Sequence, residues 1–137
     1  MCDNVVLVKR QIVIFVSTGD PICFEHAMMK TCEFADNGNE VVMVIEGPAV
    51  VRIGEYSERE DLYSKNYARI KKEGLIAGVC KDCAERYGVL EEAKKQGLPL
   101  AASHPNIKDY LEKRFEVRYI RPRACSCCEV WDDVTVP

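Results

Sequence analysis

QIVIFVSTGDPICFEHAMMKTCEFADNGNEVVMVI, residues 11–45, is the stretch that decides the fold. Gln11 to Val16 is a short, β-branched, almost wholly apolar run, the pattern of a strand covered on both faces as in a parallel sheet. It breaks at Ser17-Thr18-Gly19-Asp20-Pro21. Asp20 is a natural N-cap, Pro21 suits the first helical position and Gly38 suits the stop, so the spacing predicts a helix from about Pro21 to Asp36. Its inward stripe is Phe24, Ala27, Met28, Thr31, Phe34 and Ala35. Glu40 to Ile45 repeats the buried-strand pattern and is closed by Glu46-Gly47-Pro48. Strand, helix and strand joined by short links are the unit of a parallel α/β sheet.

The alternation continues downstream. Ala49 to Ile53 fits a short helix or a strand equally well. Ser57 with Glu60 has capping-box spacing, and Tyr63, Tyr67 and Ile70, with Leu62 beside them, mark one face of a helix reaching Gly74. Leu75 to Val79 reads as a third strand leading into Cys80, and the helix after it stops at Gly88. Glu91 to Gln96 is a helical turn before Gly97, and Leu98 to Ala102 is a fourth strand that Pro99 places at an edge or a strand start. Ser103 caps a helix with Ile107, Tyr110 and Leu111 inward. Phe115, Val117 and Tyr119 alternate with Glu116, Arg118 and Arg121, so the last strand is half exposed and compatible with subunit contacts. Val5 to Val8 lengthens the first strand or pairs at an edge.

The expected architecture is a three-layer α/β/α sandwich around a mainly parallel five-stranded sheet. One domain spans residues 1–121, and a Cys-rich tail over 122–137, with no clear period and with Trp131 as its anchor, packs on the domain or on a neighbouring subunit. A chain of 137 residues can build such a core without disulfides or metal. The net charge of −3 offers no basic stripe for nucleic acid or anionic membranes. No apolar stretch approaches the ~20 residues of a membrane span. Met1 to Arg10 carries an early acid and two basic residues after a short apolar run, unlike the order of a signal peptide. The expectation is a cytoplasmic protein with neither nucleic-acid nor membrane partners.

Eight cysteines in a reducing compartment call for an explanation other than structural disulfides. Cys23 and Cys32 fall in a helical pattern and read as small buried hydrophobes, Met28 and Met29 read as core filler, and Cys2 is terminal. The first strand–helix turn has neither a G-x-G-x-x-G pattern nor a Walker lysine, and His26 and His104 belong to no recognisable catalytic pattern. Two clusters remain: Cys80 with Cys83, and Cys125 with Cys127 and Cys128.

Cys80 sits where the third strand gives way to a helix, beyond the carboxyl end of a strand, where open parallel sheets place their working residues. Unpaired N–H groups and the helix dipole there favour a thiolate. Lys81 adds to that effect and Asp82 opposes it. Cys83, one turn on, can face the core, resolve an intermediate as a disulfide or share a metal. Cys125, Cys127 and Cys128 could join Cys80 and Cys83 around zinc or an iron–sulfur cluster if the tail folds back, although their spacing is irregular for a zinc ribbon. The same three thiols could equally form a second relay or disulfide site, or be incidental to a flexible tail.

Thr18-Gly19-Asp20-Pro21, Ala27, Ala35 and Gly38 ahead of the Glu40 to Ile45 strand, the Glu46-Gly47 exit, and Gly74 before the strand ending in Val79-Cys80, with Gly88-Val89 beyond, together resemble the DsrE/DsrF/TusD family. The likeness covers roughly residues 10 to 120. It implies a compact α/β fold assembled as a homotrimer or homohexamer, and a role in sulfur relay. By that resemblance Cys80 is the nucleophile that accepts sulfane sulfur as a persulfide from donor proteins or small sulfane-sulfur compounds and passes it to an acceptor thiol. Cys83 is a possible assistant that the family pattern does not require, and no cofactor is needed. The residues by themselves support the same exchange chemistry. They also leave open a zinc-binding or thiol–disulfide redox-sensing module built on Cys80, Cys83 and the C-terminal cysteines, and an oligomeric scaffold with no chemistry of its own.

Overall fold

A computed structural model describes residues 9–58, 60–101, 107–120 and 132–133. The elements are β1 (Gln11–Val16), α1 (Pro21–Asp36), β2 (Glu40–Ile45), a 3-10 turn (Gly47–Arg52), α2 (Ile53–Tyr56), α3 (Leu62–Lys72), β3 (Ile76–Cys80), α4 (Lys81–Arg86), α5 (Leu90–Lys95), β4 (Leu100–Ala101), α6 (Ile107–Glu112), β5 (Glu116–Ile120) and β6 (Asp132–Asp133). The sheet order is β4-β3-β2-β1-β5-β6. The first five of these strands run parallel, and β6 pairs antiparallel with β5 through Arg118 opposite Asp133 and Tyr119 opposite Asp132.

The strand order fixes the layers. From β1 to β4 each strand is laid beside the last in one direction, so right-handed crossovers carry α1, α3, α4 and α5 over one face. The chain then returns across the sheet to place β5 on the far side of β1, which carries α6 over the opposite face. Side chains follow suit: Ile12, Ile14 and Val16 pack with Phe24, Ala27 and Met28 of α1, whereas Val13, Phe15, Val44 and Val117 pack with Tyr110 and Leu111 of α6. The result is the expected three-layer α/β/α arrangement around a mainly parallel sheet.

The opening β1-α1-β2 unit has the predicted bounds because each local signal agrees with its tertiary use. The Asp20 carboxylate accepts from the Ile22 amide at 2.9 Å, Pro21 opens the helix, and Gly38 turns the chain at φ 86°. Cys23 and Cys32 are buried on the inner face of α1, as small hydrophobes should be. Met29 points outward instead of filling the core, because the inner stripe of α1 is complete with Phe24, Ala27, Met28 and Thr31.

Other expectations are corrected. Ala49 to Ile53 is a 3-10 turn running into α2, and Ser57 closes α2 by donating to the Gly54 carbonyl at 3.1 Å instead of opening the next helix. The N-cap of α3 is Asp61, whose carboxylate accepts from the Ser64 amide at 2.9 Å. Leu62, at the first position after that cap, faces solvent while Tyr67 and Ile70 carry the inner stripe. Among the described residues the fourth strand begins at Leu100 instead of Leu98 and comprises Leu100–Ala101, and the Pro99 carbonyl, which accepts from the Val79 amide at 2.8 Å, extends its pairing; Ala102 lies outside the described residues. β5 is half exposed as expected, with Val117 buried and Glu116, Arg118 and Tyr119 part-exposed, and it is flanked on both sides by β1 and β6. Val5 to Val8, Ser103 and the tail other than residues 132–133 lie outside the described residues.

Candidate functional site

Cys80 has two structural jobs. It is the last residue of β3 and the N-cap of α4, with an extended backbone at φ −63° and ψ 118°. Its sulfur accepts from the Cys83 amide at 3.3 Å, the role usually filled by a serine or aspartate oxygen. The apolar Ile76-Ala77-Gly78-Val79 run brings the chain out at the carboxyl end of the sheet, and the cap turns it at once into α4. Gly88, at φ 74°, ends the segment. α4 lies on the 3-10 turn and on α5, with Ala84 buried between.

Burial decides an electrostatic balance that Lys81, Asp82 and the helix start leave open in the sequence. Cys80 is 0% exposed and Cys83 8% exposed. Burial, then the hydrogen bond between the two cysteine side chains, pushes the Cys80 thiol up to about 11, while the Cys83 and Asp82 amides act in the opposite sense. Desolvation therefore outweighs the helix start, which in a six-residue helix is a weak field. The Lys81 and Asp82 side chains point into solvent and leave burial to set the balance. At neutral pH Cys80 rests as a thiol beside the buried Cys83, at the base of a helix whose outer side is the exposed Lys81, Asp82, Glu85 and Arg86. Such a pair can exchange sulfur or form a disulfide once α4 gives access. It also offers two sulfur ligands.

The remaining predicted ligands, Cys125, Cys127 and Cys128, lie outside the described residues. Among the described residues no group of three or more His, Cys, Asp or Glu side chains is placed to hold a metal. Cys23 and Cys32 belong to the core beneath α1, and burial raises the Cys32 thiol despite the nearby Arg69 guanidinium.

Sequence reasoning missed a second polar feature, at the carboxyl ends of β1, β2 and β5, where α1, which follows β1, and α6, which precedes β5, lie on opposite faces of the sheet. Glu46, at the exit of β2, is 7% exposed and its carboxylate accepts a short hydrogen bond from the Tyr119 hydroxyl of β5. Ser17 donates to the Ile120 carbonyl at 3.3 Å beside it. The loops after β1 and β2 are pressed together. A Cβ on Gly47, which stands at φ 57°, would lie 3.1 Å from the Ser17 carbonyl oxygen, and one on Gly19 would lie 3.3 Å from Pro48 Cβ. The available signal was an acid directly after an apolar strand, read only as the strand's exit.

No family model and no curated protein matches the chain. A conserved protein of unknown function from Bacteroides thetaiotaomicron has a similar solved structure, with a TM-score of 0.62 at 16% identity over 80% of this chain and 95% of that one. At that identity the likeness concerns the fold alone.

Proposed function

We propose that this chain is a cytoplasmic, homo-oligomeric sulfur carrier of the DsrE type, with Cys80 as the acceptor of sulfane sulfur. The observation that carries the reading is the Cys80 sulfur itself, held at the carboxyl end of β3 as the cap of α4 with Cys83 hydrogen-bonded to it.

The chemistry needs no organic cofactor. The Cys80 thiolate attacks the outer sulfur of a donor persulfide, a sulfur–sulfur bond forms to Cys80, the donor's own sulfur–sulfur bond breaks, and the donor leaves as a thiolate that takes up the proton Cys80 gave up. An acceptor thiolate then attacks the outer sulfur of the Cys80 persulfide and the Cys80 thiolate leaves. Because the resting thiol is buried and protonated, both steps require the donor or acceptor to open the packing of α4 around it. Docking of the partner thereby controls when Cys80 reacts, and an unloaded carrier is protected from stray oxidants.

The placing of Cys83 one turn after Cys80, with its amide bonded to the Cys80 sulfur at 3.3 Å, favours one second reading, thiol–disulfide exchange. Cys83 attacks the inner sulfur of the Cys80 persulfide, an internal disulfide forms and hydrosulfide leaves; a dithiol reductant must then restore the pair. Glutathione persulfide as donor and cyanolysis as the readout separate the two. A carrier retains sulfane sulfur stoichiometric with the chain, and Cys80→Ser abolishes it. Rapid sulfide release with a Cys80–Cys83 disulfide favours exchange instead. Equal loading of Cys80→Ser and the parent rejects Cys80 as the acceptor.

A further inference from the structure

A groove of about 670 Å³ runs along α3 at the amino ends of β3 and β4, the opposite end of the sheet from Cys80. Its volume falls in the range of small-molecule sites. One wall is a single stripe of α3, Ser64, Tyr67, Ala68 and Lys71, at the spacing that puts residues on one helix face. The other wall is the turn from Gln96 to Pro99.

The lining carries two ammonium groups, Lys71 and Lys72, and no carboxylate. The Lys71 ammonium donates to the Gln96 side-chain oxygen at 3.1 Å and stands 5.2 Å from the Tyr67 ring centre, so the groups it touches directly are neutral, with the Glu92 carboxylate one side chain further back. Gln96 is fixed in that orientation. Its oxygen also accepts from the Tyr67 hydroxyl at 2.7 Å, and its nitrogen donates to the Ile53 carbonyl at 3.0 Å and to the Glu92 carboxylate behind it at 2.6 Å. At the other end of the stripe, about 10 Å away along the helix, Ser64 is 6% exposed and its hydroxyl has no hydrogen-bond partner. A buried hydroxyl left unpaired costs free energy that a bound group could recover. Rotation of Ser64 about χ1 toward the groove would forfeit no existing bond.

We infer that this groove is a binding site for a small organic oxyanion, a phosphate or carboxylate on an apolar body. The oxyanion would sit against the Lys71 ammonium, with the exposed Lys72 at the rim of the groove, and the body would lie on Ile76 and Leu98 with its far end toward Ser64. The site is independent of sulfur chemistry at Cys80.

Titration of the full chain with phenyl phosphate, benzoate and the neutral benzyl alcohol, followed by amide chemical shifts, tests the site. The expected result is saturable shifts at Ser64, Gly74 and Gly97 with one or both anions, and at least tenfold weaker binding of the neutral compound. The double variant Lys71→Gln/Lys72→Gln should weaken anion binding at least tenfold while the protein stays folded, as its dispersed amide spectrum would show. Ser64→Ala should weaken it severalfold while leaving the ligand-free protein at least as stable, an effect opposite to that of a residue with a purely structural role. The preferred anion identifies the oxyanion. Absence of saturable shifts through millimolar concentrations, equal binding of benzyl alcohol, or undiminished affinity in the double lysine variant would overturn the inference.

Discussion

The Cys83 amide donates to the Cys80 sulfur across 3.3 Å, so one sulfur atom is both the cap of α4 and half of a thiol pair. Structure and reactivity are tied together at that atom. Removing the cap and removing the nucleophile are different changes, and they can be separated by substitution.

Cys80→Ser keeps a hydroxyl able to accept from the Cys83 amide, whereas Cys80→Ala does not. The alanine variant should lose about 1 kcal/mol more than the serine variant, the usual worth of an N-cap. Both should fail to carry sulfur. Denaturant melts of the two variants beside cyanolysis check both statements; equal stability of the two would remove the cap.

The pH dependence follows from the raised Cys80 thiol. Its alkylation by iodoacetamide should climb about tenfold per pH unit from pH ~7 to ~9, where an ordinary cysteine is already levelling off. The fold holds the Cys80 proton more tightly than the unfolded chain does. That contribution to stability is fully present below pH ~8.5 and is lost as the pH rises toward the folded value. Mass spectrometry of Cys80 alkylation against pH provides the profile, and a plateau already at pH ~7 would contradict it.

The start of α3 is tested by a pair of substitutions. Asp61→Ala removes the acceptor of the Ser64 amide and should cost about 1 kcal/mol, whereas Ser57→Ala removes only a hydroxyl contact to Gly54 and should cost about half of that or less. Thermal melts with the reverse order would restore Ser57 as the cap.

Tyr119→Phe removes a donor from the buried Glu46 carboxylate. Hydrogen bonds to charged groups are worth about 1.5–3 kcal/mol, and a loss of that size is expected in urea unfolding. Gly47→Ala should cost roughly 1–3 kcal/mol, because it combines a φ of 57° with a Cβ 3.1 Å from the Ser17 carbonyl oxygen. A neutral Gly47→Ala would mean that the two loops can part freely.

The elements legible in the sequence are those in which local and tertiary demands coincide. Asp20, Pro21 and Gly38 punctuate α1 by backbone chemistry, and the unbroken apolar runs of β1 and β2 leave them no place but the centre of a two-sided sheet. Cys80 was found for a similar reason, since the run from Ile76 has to end where it does. What was not legible depended on contacts distant in sequence. Ser57 and Asp61 offer equally good caps, and only the presence of α2 takes Ser57 away. The Glu46–Tyr119 bond joins residues from β2 and β5 that no local pattern connects. The protonation of Cys80 is not legible either, because a helix start can be recognised from sequence, whereas the burial that outweighs it comes from packing against the 3-10 turn and α5.

The most direct test of the central claim is to treat anaerobically purified protein with a sulfane-sulfur donor and locate the added mass by peptide mass spectrometry. The account predicts one additional sulfur atom on Cys80, removable by an acceptor thiol and absent in Cys80→Ser. Addition at another cysteine with Cys80 unmodified, or no addition at all, would contradict it.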